Sequence, residues 1–415
     1  MYVQQYSNNR RILSWNKPSF KKAFINLFTK NIVKVNLCDI PKTPNTLVAN
    51  TAIVNNIPCF DEVDSRQEIN KLNKENDHPK FKLAAYIEKN REYCNGIETP
   101  SISALNQSHK KDIIDCFKRV IVIGDSLSDS KGRMFAKTFG ILPSAPQYHE
   151  GKFTNGFTWP EFLTSPHFMK HKTIDTQNNR ITYSPVTLMN KAEGGAVAGN
   201  YNQLIPKFKF ISNMKKQINK IKFEVTDLAI VSLGANDYVT FAKEDINKVI
   251  DDQINLIKKM TQQGAKNILV MGIPNLASTP FAKIQSSTYK NKMKIITLIH
   301  NIRLKLRLNK ITAQEDINIK FFDLYKAMAE ITKKAEELNL LSSSNIEGDT
   351  KNRPYILDRP FTNGYIGGTG YMDTAPNYLF NDSVHPTQEV HSIISVILND
   401  FIVKEYQTKN NSSYR

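Results

Sequence analysis

The sequence predicts an α/β fold in which helices cover both faces of a parallel β-sheet. Short apolar runs rich in β-branched residues stand at 120–123, 228–233, 268–271 and 319–322, as in strands buried on both faces. Between the second and third runs, one apolar stripe predicts an amphipathic helix that ends near Gly264. The stripe consists of Ile246, Val249, Ile250, Ile254, Ile257 and Met260. Strands that alternate with helices imply right-handed crossovers and a parallel sheet.

The remaining elements are three further helices and one long connecting segment. Helices are expected at 283–308 and at 325–340. A last helix is expected to open with Pro386, because proline suits the first helical position, and to run to about residue 404. The intervening segment 341–380 is rich in Gly, Ser, Asn and Pro. A loop of that length inside a compact domain is usually functional, often as a lid over a site.

The chain divides into three parts by composition. Residues 1–115 are rich in Asn, Lys and Pro and show weak periodicity, apart from one short helix expected at 17–29. We interpret them as a separate N-terminal region of unknown role. Residues 116–406 carry the α/β pattern and form the second part, and 407–415 are a polar tail.

A formal net charge of +17 over 415 residues indicates attraction to anionic surfaces, whether phospholipid headgroups or nucleic acid. The basic residues near the start are Arg10, Arg11, Lys17, Lys21, Lys22, Lys30, Lys34 and Lys42. Two later runs are Lys215, Lys216, Lys220 and Lys222, and Arg303, Lys305, Arg307 and Lys310. Solvated helix faces explain these runs equally well. Since no recognition motif for nucleic acid is present, peripheral contact with an anionic membrane is the partner we expect.

Other patterns exclude several classes of protein. No run of 18 or more apolar residues occurs, so no transmembrane helix is expected. The basic, polar N-terminus lacks the apolar core of a secretory signal peptide, so we expect a cytoplasmic protein or export through a specialised bacterial secretion system. Four cysteines, Cys38, Cys59, Cys94 and Cys116, show no CxxC spacing. They predict free thiols, no metal site and no thiol mechanism.

Candidate catalytic residues follow the predicted strands. Ser126 stands two residues after Gly124, where the first strand ends, and ligands of open α/β sheets bind beyond the carboxyl ends of strands. The G-x-S-x-G elbow of α/β-hydrolases is not matched, because Ser128 takes its last position. Three further blocks accompany this turn: Asn190 to Ala196 with two glycines, Gly234 to Asp237 after the second strand, and Asp382 to Pro386 before the last helix.

These four blocks resemble, in order, those of the GDSL or SGNH hydrolases, with Ser126, Gly195, Asn236 and His385 at the named positions. The segments 151–159, 273–280 and 378–387 are similar to G-[RK]-F-[ST]-N-G-x-x-W, P-x-L-x-x-T-P and Y-L-F-x-D-x-V-H-P-T of the bacterial lipolytic branch. That branch contains phospholipases A, lysophospholipases A and glycerophospholipid–cholesterol acyltransferases. The resemblance covers about 118–404 and leaves 1–115 without a counterpart.

The resemblance implies a three-layer α/β/α fold with a five-stranded parallel sheet, plus an N-terminal extension. It implies Ser126 as nucleophile, His385 as general base and acid, and Asp382 as the residue that orients the imidazole. The oxyanion would be bound by the backbone N–H groups of Ser126 and Gly195 and by the side-chain amide of Asn236. No metal or organic cofactor is required by this chemistry.

Several residues of these blocks, and several outside them, also suit structural roles. Gly194 rivals Gly195 as oxyanion donor, although the register of 190–196 favours Gly195. Asn236 is also a candidate helix cap, with Asp237 as the alternative for that role. We expect Asp125 to bond backbone around the nucleophile turn. His300 is expected to be a core histidine, Trp159 a packing residue, and His149, His167 and His171 surface residues.

The sequence therefore predicts a serine ester hydrolase that cleaves acyl esters of phospholipids or lysophospholipids through an acyl-enzyme. Acyl transfer to an alcohol such as a sterol would follow if that alcohol displaces water. One alternative is a short-chain acetyl esterase acting on carbohydrate or small esters. Another is a partner-binding protein whose N-terminal region targets the hydrolase. The sequence leaves the oligomeric state open.

Overall fold

The computed structural model describes residues 114–145, 147–166, 168–178, 180–314, 317–344, 356–362 and 378–407. Several expectations lie outside these residues: the helix at 17–29, the basic cluster near the start, Cys38, Cys59, Cys94, His167 and most of the segment 341–380. The polar tail lies outside them from residue 408 onward.

Five parallel strands form the main sheet: β1 (Arg119–Gly124), β4 (Thr187–Asn190), β5 (Asp227–Ser232), β6 (Asn267–Met271) and β7 (Asn318–Phe322). Their order across the sheet is β4-β1-β5-β6-β7. The four predicted runs are β1, β5, β6 and β7. The edge strand β4 is the fifth strand that the resemblance implies. It escapes the search for buried runs because Thr187 is exposed and Leu188 and Met189 are only half-buried.

Alternate residues of the central strands face two separate cores. Val120 and Val122 of β1 belong to the core on one face, and Ile121 and Ile123 to the core on the other. The alternation follows from the two-residue period of a strand. Both sets are fully buried, so the sheet is the middle layer of three.

Helices cover both faces of the sheet. The first core contains α2 (Trp159–Leu163), α9 (Leu324–Ser344) and α10 (Gln388–Ile402). The second contains α4 (Met214–Ile218), α6 (Ile246–Gln262) and α8 (Ser287–Gln314). Short helices α1 (Arg133–Lys137), α3 (Pro206–Phe210), α5 (Ala235–Val239) and α7 (Pro280–Lys283) occupy the connections.

The predicted helices occur with shifted ends. The third predicted helix begins at Leu324 and continues to Ser344, past the expected end at 340. The last helix does not begin at Pro386: Thr387 is its N-cap and Gln388 its first residue. Pro386 instead pairs with Phe380 in an isolated β-bridge, and that bridge keeps its backbone extended. A short π-helix, Val403–Gln407, follows α10.

A two-stranded hairpin, which the sequence did not predict, stands apart from the main sheet. It consists of β2 (Lys170–Asp175) and β3 (Arg180–Pro185), paired antiparallel. Ile174 and Ile181 face each other across it and are each more than half exposed. Its apolar residues therefore add nothing to either core, which is why a search for buried runs misses it.

No helix in the described ranges is both long enough and apolar enough to cross a bilayer.

Candidate active site

The turn that carries Ser126 is built at the carboxyl end of β1. Gly124 is required there, because a Cβ at this position would lie 2.7 Å from the Cβ of Ser128. The Asp125 carboxylate accepts the backbone N–H of Leu127 at 3.0 Å, and the indole N–H of Trp159 donates to Ser128 Oγ at 3.1 Å. These bonds fix a turn on which Ser126 is 7% exposed.

A chain of two hydrogen bonds joins Ser126, His385 and Asp382. His385 Nε2 lies 2.7 Å from Ser126 Oγ, and His385 Nδ1 lies 2.7 Å from Asp382 Oδ2. The Asp382 carboxylate only accepts hydrogen bonds, so Nδ1 carries the proton and the Nε2 lone pair faces the serine hydroxyl. This is the arrangement in which an imidazole takes a proton from a serine.

The loop around Asp382 holds this carboxylate from its own backbone. Its Oδ1 atom accepts the N–H groups of Val384 and His385, both at 2.8 Å. The spacing of three residues between Asp382 and His385 therefore forms a closed turn. Both side chains are buried, at 1% and 7% exposure.

Tyr148 and Phe153 complete the surroundings of this pair, and the sequence reasoning missed both. The Tyr148 hydroxyl donates to Asp382 Oδ2 at 2.8 Å. The Phe153 ring lies against the imidazole of His385, with centroids 4.9 Å apart. Phe153 belongs to the 151–159 segment, whose resemblance to the bacterial lipolytic branch does not indicate a contact with His385. No signal in the sequence pairs Tyr148 with a residue 234 positions away.

The two glycines of the second block have different partners. The Gly194 amide donates to the buried Asp129 carboxylate at 3.1 Å. Gly195 has φ 74°, in the left-handed region that glycine tolerates. Among the described residues, its amide meets no hydrogen-bond acceptor. The Gly195 N–H is therefore available for a ligand, whereas the Gly194 N–H is already bonded to Asp129.

Asn236 is the second residue of α5, whose N-cap is Gly234. Neither Asn236 nor Asp237 therefore caps this helix, the alternative role considered for them. The Asn236 Oδ1 atom accepts the Thr240 hydroxyl at 2.7 Å, and Nδ2 donates to the carbonyl of Ala196 at 3.1 Å. An amide nitrogen carries two hydrogens, so one remains for a ligand beside the Gly195 block.

Asp237 ties the Asn236 helix to the glycine block. Its fully buried carboxylate accepts the backbone N–H groups of Ala198 and Gly199 at 2.9 and 3.0 Å. It also accepts the Tyr201 hydroxyl at 2.6 Å. These bonds hold the backbone after Gly195 at a fixed position relative to Asn236.

Comparison with known proteins identifies the family. The model of GDSL-like lipases/acylhydrolases matches residues 120–396. The chain belongs to the GDSL lipase/acylhydrolase family. This GDSL hydrolase is therefore a serine ester hydrolase, as the four blocks predicted, and its sheet of five parallel strands agrees with the predicted fold.

Three relatives of this GDSL hydrolase come from bacteria. The secreted effector protein SseJ of Salmonella typhimurium is 36% identical over 355 residues, which are 84% of this chain and 78% of that protein. The phosphatidylcholine-sterol acyltransferase of Aeromonas hydrophila is 29% identical over 70% of this chain and 92% of its own. The thermolabile hemolysin of Vibrio parahaemolyticus is 25% identical over 68% of this chain and 63% of its own.

Burial changes the acidity of several groups around the site. It raises the pKa of Asp125 to about 7, so that carboxyl holds a proton for much of the time at neutral pH. It also raises the pKa of Asp129 and of Asp237, although both accept backbone N–H groups. Burial, followed by the nearby charge of His385, lowers the pKa of His391 to about 3. His391 is therefore neutral near His385.

An apolar cavity of the GDSL hydrolase lies next to the turns that carry Ser126 and His385. Its enclosed volume is about 40 Å³. Its lining includes the immediate neighbours of two site residues, Leu127 next to Ser126 and Val384 next to His385. Met271, Met328 and Ile394 also line it, and so does Trp159, which therefore has a lining role besides its packing role.

The other histidines and the one described cysteine lie outside the hydrogen-bond chain. His300 is fully buried, and its Nδ1 atom lies 2.8 Å from the Tyr238 hydroxyl, as expected of a core histidine. His149 and His171 are half-buried at the surface. Burial raises the pKa of the Cys116 thiol to about 12. In the described ranges, no three His, Cys, Asp or Glu side chains are grouped so as to hold a metal ion.

We expect Tyr148→Phe to lower kcat on a soluble p-nitrophenyl ester about tenfold and to leave KM within about twofold, because a hydrogen bond to a buried carboxylate is worth roughly 1.5–3 kcal/mol. Steady-state kinetics of the purified variant check this. Tyr183→Phe, on the exposed hairpin, is the matched control and should behave as wild type. Unchanged kcat in Tyr148→Phe would show that the bond to Asp382 has no part in turnover.

Proposed function

We propose that this chain cleaves acyl esters of phospholipids or lysophospholipids through an acyl-enzyme on Ser126. The observation that carries the proposal is the hydrogen-bond chain from Ser126 through His385 to Asp382. His385 Nε2 takes the hydroxyl proton while Ser126 Oγ forms a bond to the ester carbonyl carbon. Asp382 stabilises the imidazolium that results.

The negative charge on the former carbonyl oxygen needs donors that are already in place. We assign this role to the backbone N–H groups of Ser126 and Gly195 and to the side-chain amide of Asn236. The engagement of the Gly194 amide with Asp129 supports Gly195 over Gly194. The bonds from Thr240 and to Ala196 support Asn236, because they orient its amide before any ligand arrives.

The second half of the reaction releases the acyl group. The tetrahedral intermediate breaks its bond to the leaving alkoxide, which takes the proton from His385, and the acyl group remains on Ser126. Water, or the hydroxyl of an acceptor alcohol, then gives its proton to His385 and attacks the acyl carbon. Ser126 leaves as the hydroxyl, and the product is a fatty acid or a new ester.

The apolar cavity supports a long acyl chain over an acetyl group. It is lined by apolar side chains next to both Ser126 and His385, and each buried methylene of a chain gains about 0.8 kcal/mol. The relative named as a phosphatidylcholine-sterol acyltransferase supports a phospholipid donor and a sterol acceptor.

We also propose that the protein is exported through a specialised secretion system and acts at an anionic membrane surface. The relative named as a secreted effector supports export, and the net charge of +17 supports contact with anionic lipid. The N-terminal region remains a candidate targeting segment.

Ser126→Ala is expected to lose at least about a thousandfold in kcat, because removing the nucleophilic serine of a serine hydrolase costs several orders of magnitude in rate. Mass-spectrometric analysis of fatty acid, lysophospholipid and sterol ester from phospholipid–cholesterol vesicles measures this. Ser184→Ala, on the exposed hairpin, is the control. If wild type releases no fatty acid yet cleaves p-nitrophenyl acetate, the lipid substrate is wrong. If Ser126→Ala retains wild-type turnover, the nucleophile is wrong.

Met328→Trp should shorten the acyl preference, because Met328 lines the cavity and the larger ring takes up space that an acyl chain would occupy. We expect kcat/KM to fall about 10- to 100-fold for p-nitrophenyl palmitate and to stay near wild type for the acetate. Met328→Leu conserves volume and is the control. An equal loss on both esters would contradict binding of the acyl chain in this cavity.

A further inference from the structure

The long helix α8 presents apolar side chains on its outer side as well as on its inner side. Its inner side is buried in the second core through residues such as Met293, Leu304 and Leu308. On the outer side lie Ile295, Leu298, Ile302 and Leu306, exposed by 55%, 37%, 58% and 57%. Steps of three and four residues place these four on one face. We call this set the outer stripe.

Basic residues flank the outer stripe, and acidic residues are absent from the helix sequence. Between Ser287 and Gln314 stand Lys290, Lys292, Lys294, Arg303, Lys305, Arg307 and Lys310, without one Asp or Glu. At 3.6 residues per turn, Lys294 and Lys305 run along one flank and Lys310 along the other. The run from Arg303 to Lys310 is one of the basic clusters that the sequence analysis singled out.

Some of these charges are engaged within the fold. Lys292 pairs with Glu244, before α6, and Arg307 with Asp251 on α6. Arg303 donates to Asn247 at 3.0 Å. Lys294, Lys305 and Lys310 are exposed, so they add positive charge to the surface beside the outer stripe.

The charge of each candidate binding partner indicates which one suits this basic face. A second copy of the chain brings the same basic helix and a net charge of +17. Residues 1–113 also contain more Lys and Arg than Asp and Glu. The phosphates of a nucleic acid would pair with the lysines, but the apolar side chains of the outer stripe would stay exposed to water. An anionic bilayer matches both features, since phosphates pair with lysines while apolar side chains enter the acyl boundary.

We propose that the outer stripe of α8 and its flanking lysines form the surface that docks this enzyme on an anionic phospholipid bilayer. The choice of a lipid surface rests on the proposed lipid substrate. The start of α8 is linked to the site through the 276–283 segment, from which three residues separate it. That segment is joined to the catalytic loop by the Phe281 N–H, which donates to the carbonyl of Ser383 at 2.8 Å.

Vesicle sedimentation of the full chain tests the inference, with every protein in a Ser126→Ala background so that the lipid is not consumed. The vesicles contain equal parts of phosphatidylglycerol and phosphatidylcholine, or phosphatidylcholine alone. We expect binding to the anionic vesicles. Ile302→Ser with Leu306→Ser should weaken that binding roughly tenfold or more. Lys294→Gln with Lys305→Gln should also weaken it about tenfold, but only on anionic vesicles.

Matched controls come from the same chain. Ile174→Ser with Ile181→Ser removes two isoleucines of similar exposure from the hairpin, and Lys222→Gln with Lys258→Gln removes two exposed lysines elsewhere. Both should bind as the background protein does. With Ser126 intact, all variants should keep wild-type turnover of soluble p-nitrophenyl acetate, which shows that each is folded.

Three results would overturn the inference: no binding to anionic vesicles, equal binding by stripe and control variants, or lysine-dependent binding of a labelled RNA in place of vesicles. Failure of the proposed function gives a different pattern. In that case vesicle binding still depends on the outer stripe, but the protein with intact Ser126 releases no fatty acid from the bound vesicles.

Discussion

The Asp382 carboxylate accepts four hydrogen bonds from the described part of the chain, and the geometry of the site depends on them. Two come from the backbone of its own turn, one from the imidazole of His385 and one from Tyr148, far away in the sequence. A carboxylate with this many donors cannot rotate freely, so the imidazole bound to it has one orientation. The Nε2 atom then faces Ser126 without rearrangement.

The parallel sheet explains how residues so distant in sequence meet. Ser126 and His385 are 259 positions apart, yet their side chains are in hydrogen-bond contact. Every strand of the main sheet points the same way, so the loops after β1, β4 and β5 all emerge at one edge. The loops after β1 and β4 carry Ser126 and Gly195, the helix that follows β5 carries Asn236, and the turn before α10 brings Asp382 and His385. Buried side chains such as Asn190 join neighbouring loops, here by donating to the Ser128 carbonyl at 2.6 Å.

Sequence patterns predicted the parts of the fold that are set by burial. The buried strands are marked by continuous apolar runs, and the helix Ile246–Gln262 is marked by a strong apolar periodicity. Strand β4 and the hairpin lack such signals because their side chains are largely in contact with solvent. Pro386 was misassigned because a proline suits both the first helical position and the extended residue before an N-cap. Local sequence does not distinguish these two positions.

In the candidate site, too, local patterns were predictable and contacts between distant segments were not. The family blocks predicted Ser126, Gly195, Asn236, Asp382 and His385, because each block is a local pattern. Tyr148 and the occupied amide of Gly194 were not predictable, since each depends on a contact between distant segments. The outer stripe of α8 was hidden for another reason. Apolar residues on both sides of a helix cancel the one-sided pattern that marks a surface helix.

Covalent labelling of Ser126 is the most direct test of the central claim, that Ser126 is a nucleophile activated by His385. The full chain is treated with a fluorophosphonate, and the labelled peptide is identified by mass spectrometry. The account predicts a single adduct on Ser126, absent in Ser126→Ala and formed at least about a hundredfold more slowly in His385→Ala. An adduct on another serine, or an equal labelling rate in His385→Ala, would contradict it.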